Sequence, residues 1–294
     1  MRSTRTSVRL AAVAGGIVLT VGLTACGSED GGEKGSGGGG TAKGGSVLAA
    51  LRLASERTGE QHSAKVDGTT AVGPATSVMK GSMDWTDGMR ANMIITQRGG
   101  QIDSSPLAGK PLEARYTPDA MYMNLGDDFA AAPESGGKHW VKYDYATLTK
   151  QAGAAGKFFK DQMRNTDPAR AVQLLVATGK VRSVGEERVR GVTATHYTGT
   201  VKVADLAGMQ SEELTGQDLE DLQDQLEQAG METETIDLWI DGDDLLVKKR
   251  EQAQGSDGAY DATVYYSDYG TAVAVEEPPA SDTLGFEDML PQQS

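Results

Sequence analysis

Between His62 and Gly126 apolar and polar side chains alternate with a period of two, in segments broken by turn residues: HSAKVDGTTA (62–71), TSVMKGSMDW (76–85), MRANMIITQR (89–98), PLEARYT (111–117) and AMYMNLG (120–126). Such alternation predicts strands with one buried face. Thr86-Asp87-Gly88 and Pro118-Asp119 are short enough to reverse the chain, so the first half is expected to be an antiparallel meander. The same period returns in KVRSVGEERV (180–189), VTATHYTGTVKV (192–203), METETIDLWI (231–240), DLLVKKREQA (244–253) and GAYDATVYYSDY (258–269), the last three joined by turns at Asp241-Gly242 and Ser256-Asp257-Gly258.

Elsewhere the period is helical. Ser46 is placed to cap a helix carrying Val47, Leu48, Leu51 and Ala54, with Gly59 to end it. Asp167 followed by Pro168 is an N-cap with proline at the first helical position, and Val172, Leu175 and Val176 form a stripe before Gly179 stops the helix. Residues 145–165 read as a glycine-interrupted helix, and Thr215–Gly230 as an acidic one with Leu219, Leu222 and Leu226 along one side. Two runs of antiparallel strands with helices between them predict an α+β fold: one large curved antiparallel sheet whose concave face is covered by helices.

Ahead of the first helix both periods vanish. Arg2, Arg5 and Arg9 precede an apolar run of 14 residues, Leu10–Leu23, and no acid occurs before Glu29. The run is shorter than the roughly 18–20 residues a spanning helix needs, so residues 1–25 read as a secretory signal peptide. Cys26 is the only cysteine, which excludes an intrachain disulfide or a C-x-x-C site. Leu23-Thr24-Ala25-Cys26 resembles a bacterial lipobox, in which the cysteine is diacylated and the chain is cut before it. From Gly27 to Gly45 ten of 19 residues are glycine and only Ala42 is apolar. Such a stretch cannot bury enough surface to fold. Residues 26–45 are therefore expected to be a flexible tether with a reach of about 25 Å, and residues 46–290 a single domain.

Charge narrows the partners. The chain carries 42 acidic and 28 basic side chains, a net of −14, and loss of the three N-terminal arginines takes this to −17. Nucleic acid is excluded as an expected partner, because phosphate binding needs a basic footprint. An anionic membrane surface would repel the same body, so attachment must come from the lipid. His62, His139 and His196 show no i,i+4 or H-E-x-x-H spacing, and no nucleophile elbow or phosphate loop is present. Asp241-Gly242-Asp243-Asp244 lacks the twelve-residue calcium pattern and reads as a solvated turn. No catalytic residue, metal or cofactor is expected.

Methionine usage is more telling. Six of the 11 methionines, Met79, Met83, Met89, Met93, Met121 and Met123, fall in the first set of strands, where β-branched residues are the norm. Strand parity puts Met121, Met123 and Leu125 on one face, with Tyr122 and Asn124 on the other. Flexible thioethers adapt to irregular apolar partners. They form either an ordinary core under the helices or the lining of an acyl-chain cavity; a copper site at Met121-x-Met123 is a more distant alternative. The candidate cavity residues are Met79, Met83, Met93, Met121, Met123, Leu125 and Leu175.

The lipobox and tether, LAALRLASERTGEQHSAKVDG, GVTATHYTGTV, IDLWIDGDDLLVKKR and VYYSDYGTAVAVEEPPASDTL, in that order, resemble actinobacterial lipoproteins of the LppX/LprG kind, which share the LolA/LolB-like fold. The resemblance implies a half-open β-barrel closed by helices around a hydrophobic cavity that carries lipids or lipoproteins, and it brings no catalytic residues. The expected function is thus an extracytoplasmic, lipid-anchored carrier or binding protein on the cell membrane, its partners being the membrane, a lipid ligand and an envelope protein. The alternative is an anchored sensor or protein-interaction domain with a filled core and no lipid ligand; a hydrolase ranks third.

Overall fold

Ten alternating segments become strands of one sheet, and two further strands join them. The computed structural model describes residues 44–150, 156–157, 160, 167–203, 205, 216–217, 219–220, 223–224, 230, 232–256 and 258–289. The strands are β1 (Ser63–Val72), β2 (Ala75–Asp84), β3 (Arg90–Arg98), β4 (Pro111–Tyr116), β5 (Ala120–Asn124), β6 (Trp140–Asp144), β7 (Val181–Val189), β8 (Val192–Lys202), β9 (Thr233–Asp241), β10 (Leu246–Gly255), β11 (Gly258–Ser267) and β12 (Thr283–Gly285). Their order is β12-β6-β5-β4-β3-β2-β1-β11-β10-β9-β8-β7. The sheet is curved and unclosed, for among the described residues no ladder joins β7 to β12. Each sequence run is a meander, and the two are welded by antiparallel pairing of β1 with β11, from Lys65 opposite Ser267 to Val72 opposite Tyr260.

One expectation needs correction. The sheet is mixed rather than wholly antiparallel, because β12 pairs with β6 in parallel. A strand of three residues has no readable period, and β6 conceals its own by burying Trp140 as well as Val141 and Tyr143.

The helices follow their expected capping in part. Helix α1 (Gly44–Gly59) begins ahead of the expected cap, Ser46. The short α2 (Gly126–Ala130) follows β5. In α3 (Pro168–Ala177) the Asp167 carboxylate accepts a hydrogen bond from the Ala169 N–H at 2.8 Å, as the Asp-Pro start predicts. Residues 145–150 are helical, and Asp144 accepts from the Thr147 N–H at 2.9 Å at their start. Most of the remainder of the predicted 145–165 helix and most of the acidic 215–230 helix lie outside the described residues. Leu51 and Ala54 of α1 join Val172 and Leu175 of α3 in the main apolar cluster on the sheet. The Thr58 hydroxyl accepts from the Leu246 N–H at 3.1 Å, fixing α1 over β10.

After β11 the chain runs back across the outer face as a strap. Ser63 Oγ donates to the Thr271 carbonyl (2.7 Å), Asn92 Nδ2 to that of Ala274 (2.7 Å) and Arg115 Nη1 to that of Glu276 (2.9 Å). Three bonds thus tie the strap to β1, β3 and β4 in turn. It then rounds the sheet edge as β12, and Phe286 stacks on Tyr143 at 5.0 Å between ring centroids, joining the cluster on the inner face.

Candidate functional site

Register shows why methionine occupies these strands. One cross-strand row on the inner face reads Val66, Gly81, Met93, Ala114, Met123, Val141. The next reads Ala64, Met83, Ala91, Tyr116, Met121, Tyr143, and a third Gly68, Met79, Ile95, Leu112. Met83 thus lies between two alanines, and Met93 between Gly81 and Ala114. A Cβ added at Gly81 would sit 2.8 Å from the Met93 sulfur, so the thioether fills the space the glycine leaves. Long chains over small neighbours interlock into a dense apolar wall. Its dryness shows in the phenols of Tyr116 and Tyr143, which burial pushes up to about 12.

The seven candidate cavity residues are brought together. Met83, Met93, Met121, Met123, Leu125 and Leu175 are all buried in one cluster, and half-buried Met79 packs against it. Leu175 of α3 instead packs over Gly199 of β8, in the other half of the sheet. Leu125 sits just past β5, its N–H donating to the His139 carbonyl at 2.9 Å. Cys26 lies outside the described residues. At one end of the wall Trp85 meets Tyr269 edge-on (6.4 Å, 87°), its indole N–H buried without an acceptor among the described residues.

At the other end the wall turns polar, which inspection of single strands missed. One row carries Gln97, Ser77, Thr70, Ala262 and Glu251; the row beyond carries Val72, Tyr260, Ala253 and Glu234. Lys249 belongs to the row before, opposite Val264, and donates to Glu251 at 2.7 Å. Burial works against the Lys249 ammonium, but Glu251, Tyr266 and Glu234 outweigh it and raise its pKa. Burial, and then the charge of Glu251, push the Glu234 carboxyl up to about 8, against the pull of Lys249.

The Glu234 shift has a measurable sign. The native state holds a proton on Glu234 between its ordinary value of 4.5 and about 8, whereas the unfolded chain has lost it. Stability therefore falls as pH rises through that window. Glu234→Gln is expected to flatten the dependence, read as urea midpoints at about pH 5 and pH 8. Parallel dependences in variant and wild type would mean that Glu234 is ionised in the folded protein.

The outer face carries a different network. His196 lies 2.9 Å from Glu187 through Nδ1 and 2.7 Å from Asp237 through Nε2, and stacks on Trp239 at 4.2 Å. The Trp239 indole donates to Glu187 at 2.9 Å, the main reason the Glu187 carboxyl is held below its usual range. His139 instead meets Asp282 at 2.8 Å. The Asp241 carboxylate accepts from the N–H groups of Asp243 (3.0 Å) and Leu245 (2.9 Å), organising the predicted turn. Two open hollows are lined mainly by outer-face residues, one by Ile94, Lys110, Glu113, Asn124 and Asp128, the other by Lys65, Asp67, Lys80, Ser82 and Arg190.

No family model matches the chain. An uncharacterized 31.2 kDa protein from the rplA–rplJ intergenic region of Streptomyces griseus is 45% identical over 251 residues, 84% of this chain and 81% of that protein. Putative lipoprotein SCO4650 of Streptomyces coelicolor is 39% identical over 247 residues, 83% of this chain and 76% of that protein. Among solved structures, the Mycobacterium tuberculosis lipoprotein LppX aligns with a TM-score of 0.47 at 15% identity, over 79% of this chain and 99% of that one.

Proposed function

This chain belongs to the same family as the two Streptomyces proteins, and on that premise we propose that it is a lipid-anchored carrier of the cell envelope, holding an apolar ligand between its sheet and its helices. Cys26 is the anchor, residues 26–45 the tether and residues 46–290 the carrying domain, placed on the extracytoplasmic face by the signal peptide over 1–25. The name of one relative supports the lipoprotein assignment. The observation that carries the reading is the inner wall itself. Met79 and Met83 of β2, Met93 of β3 and Met121 and Met123 of β5 line one face of the sheet, over glycines and alanines, where rigid β-branched residues would make a better permanent core. Unbranched thioethers pack together when the site is empty and rearrange around acyl chains when it is filled.

Each buried methylene contributes roughly 0.8 kcal/mol, so a long acyl chain gains on the order of 10 kcal/mol before ordering costs. That is enough to retain a ligand through purification. Extraction of the purified full chain with chloroform and methanol, followed by mass spectrometry, is expected to yield about one non-covalently held lipid per protein. Protein that never carries lipid, even after incubation with vesicles, would make the wall a permanent core and the interaction-domain reading the better one.

A further inference from the structure

We propose that residues 282–289 are a flap on the β6 edge of the inner wall, which swings away to admit the apolar ligand and is held shut by Lys138 and His139. This rests on the carrier reading and adds the route by which its site is reached.

A wall of buried methionines cannot be filled unless some part of its cover moves. Over the other half of the sheet α1 and α3 are set firmly: Thr58 holds α1 to β10, and Leu175 of α3 presses on Gly199 of β8. The methionine half ends at β6, and what borders β6 is the three-residue β12. In that parallel pair Leu284 lies opposite Val141, which has no solvent exposure. Just beyond, Phe286 stacks on Tyr143, and Phe286 and Met289 pack, half-buried, against the main cluster. Val141 and Tyr143 are the register partners of Met123 and Met121. Lifting the flap therefore uncovers the ends of both methionine rows.

The attachments are those of an element that can leave. Upstream, the strap is pinned by the bonds of Ser63, Asn92 and Arg115 to its carbonyls, the last at Glu276. Pro278 and Pro279 follow, and neither has an N–H with which to join a ladder. Downstream, one dipeptide holds the flap. His139 donates its backbone N–H to Asp282 Oδ1 at 2.9 Å and sets Nδ1 2.8 Å from the same oxygen, and the Lys138 ammonium donates to the Thr283 carbonyl at 2.8 Å. The His139 and Asp282 side chains are 37% and 34% exposed, so water replaces these bonds as the flap leaves and no buried polar group is stranded. Exposed pairs of this kind hold only weakly. What else opposes opening is three residues of ladder and the side chains of Leu284, Phe286 and Met289, a unit small enough to open by itself while the rest of the sheet stays folded.

A reversible lock tests the flap. Lys142 and Gly285 are register partners on β6 and β12. Neighbouring strands lie about 4.8 Å apart, within the reach of a disulfide. The atoms nearest a Cβ added at Gly285 are the carboxylate ends of Glu287 (2.8 Å) and Asp288 (3.0 Å), which are free to swing aside. In the full chain carrying Cys26→Ser, Lys142→Cys and Gly285→Cys are then the only two cysteines. Transfer of pyrenedecanoyl phosphatidylcholine from vesicles is followed by the loss of pyrene excimer emission, with thiol titration to establish the bridge and circular dichroism to establish the fold. The bridged protein is expected to take up lipid about tenfold more slowly than the same protein after reduction, since entry scales with the open population. The Cys26→Ser parent should be indifferent to the reductant. Asp282→Ala in that parent, which releases the latch without any bridge, is expected to speed uptake several-fold and to leave the final amount bound unchanged. Equal rates in the bridged and reduced states, or an Asp282→Ala protein no faster than its parent, would overturn the flap and leave the carrier intact. No uptake by the parent, however long the incubation, would remove the carrier reading and this inference with it.

Discussion

Arginine at position 123 is expected to lower the unfolding free energy by about 3–5 kcal/mol, the cost of stranding a charge in a dry interior. Met123 is flanked across the strands by Ala114 and Val141, both without solvent exposure, and the rows on either side supply Met121, Tyr116, Ile95 and Leu112 but no carboxylate. Among the described residues the guanidinium would have nothing to pair with there. Met123→Leu, nearly equal in volume, should cost less than about 1.5 kcal/mol. Asn124→Arg is the control on the opposite face. Glu113 and Asp128 line the same hollow as Asn124, so a cation there has acidic company, and the loss is confined to the 2.9 Å bond from the Gly126 N–H to Asn124. Urea titrations followed by circular dichroism distinguish the three. A Met123→Arg protein as stable as wild type but stripped of lipid would mean that the wall admits water when empty.

Replacing Cys26 with alanine is expected to abolish membrane attachment. Among the described residues no helix is long and apolar enough to cross a membrane. A single acyl chain binds a bilayer only marginally, whereas two give a stable anchor at roughly 0.8 kcal/mol for each buried methylene. Without residues 1–25 the chain would carry −17, which gives no electrostatic attraction to an anionic leaflet that might compensate. Fractionation of cells expressing Cys26→Ala should find unprocessed precursor or released soluble protein, against membrane-bound protein for the wild type. A variant that is processed normally and remains membrane-bound would place the anchor elsewhere.

Strand parity made much of this legible in advance. Met121 and Met123 are on the buried inner face and Tyr122 on the outer, as the period of two requires. The same rule failed at β6, where Trp140 packs with Ala120 and Tyr122 in a small outer cluster, so that apolar residues occur on both sides and the alternation is lost. The strap was beyond local reading, since Asn92 and Arg115 find their carbonyl partners 182 and 161 residues away. Glu234, Lys249 and Glu251 look like ordinary solvent-facing positions when each strand is read alone. Only the cross-strand register of β9, β10 and β11 gathers them on one face with Tyr260, and register is a property of the assembled sheet.

The weld between β1 and β11 also dictates when this protein can fold. Ser63 bonds to Thr271 across 208 residues, so the two meanders can each form from local contacts, but their junction must wait for nearly the whole chain. Pairing of this kind incurs a large loop-closure entropy before it is rewarded, and it makes folding slow. If the chain is exported as proposed, that delay is useful. A polypeptide that cannot complete its sheet while its C-terminal third is still being made remains threadable through a translocation channel, and the final closure is deferred to the far side of the membrane.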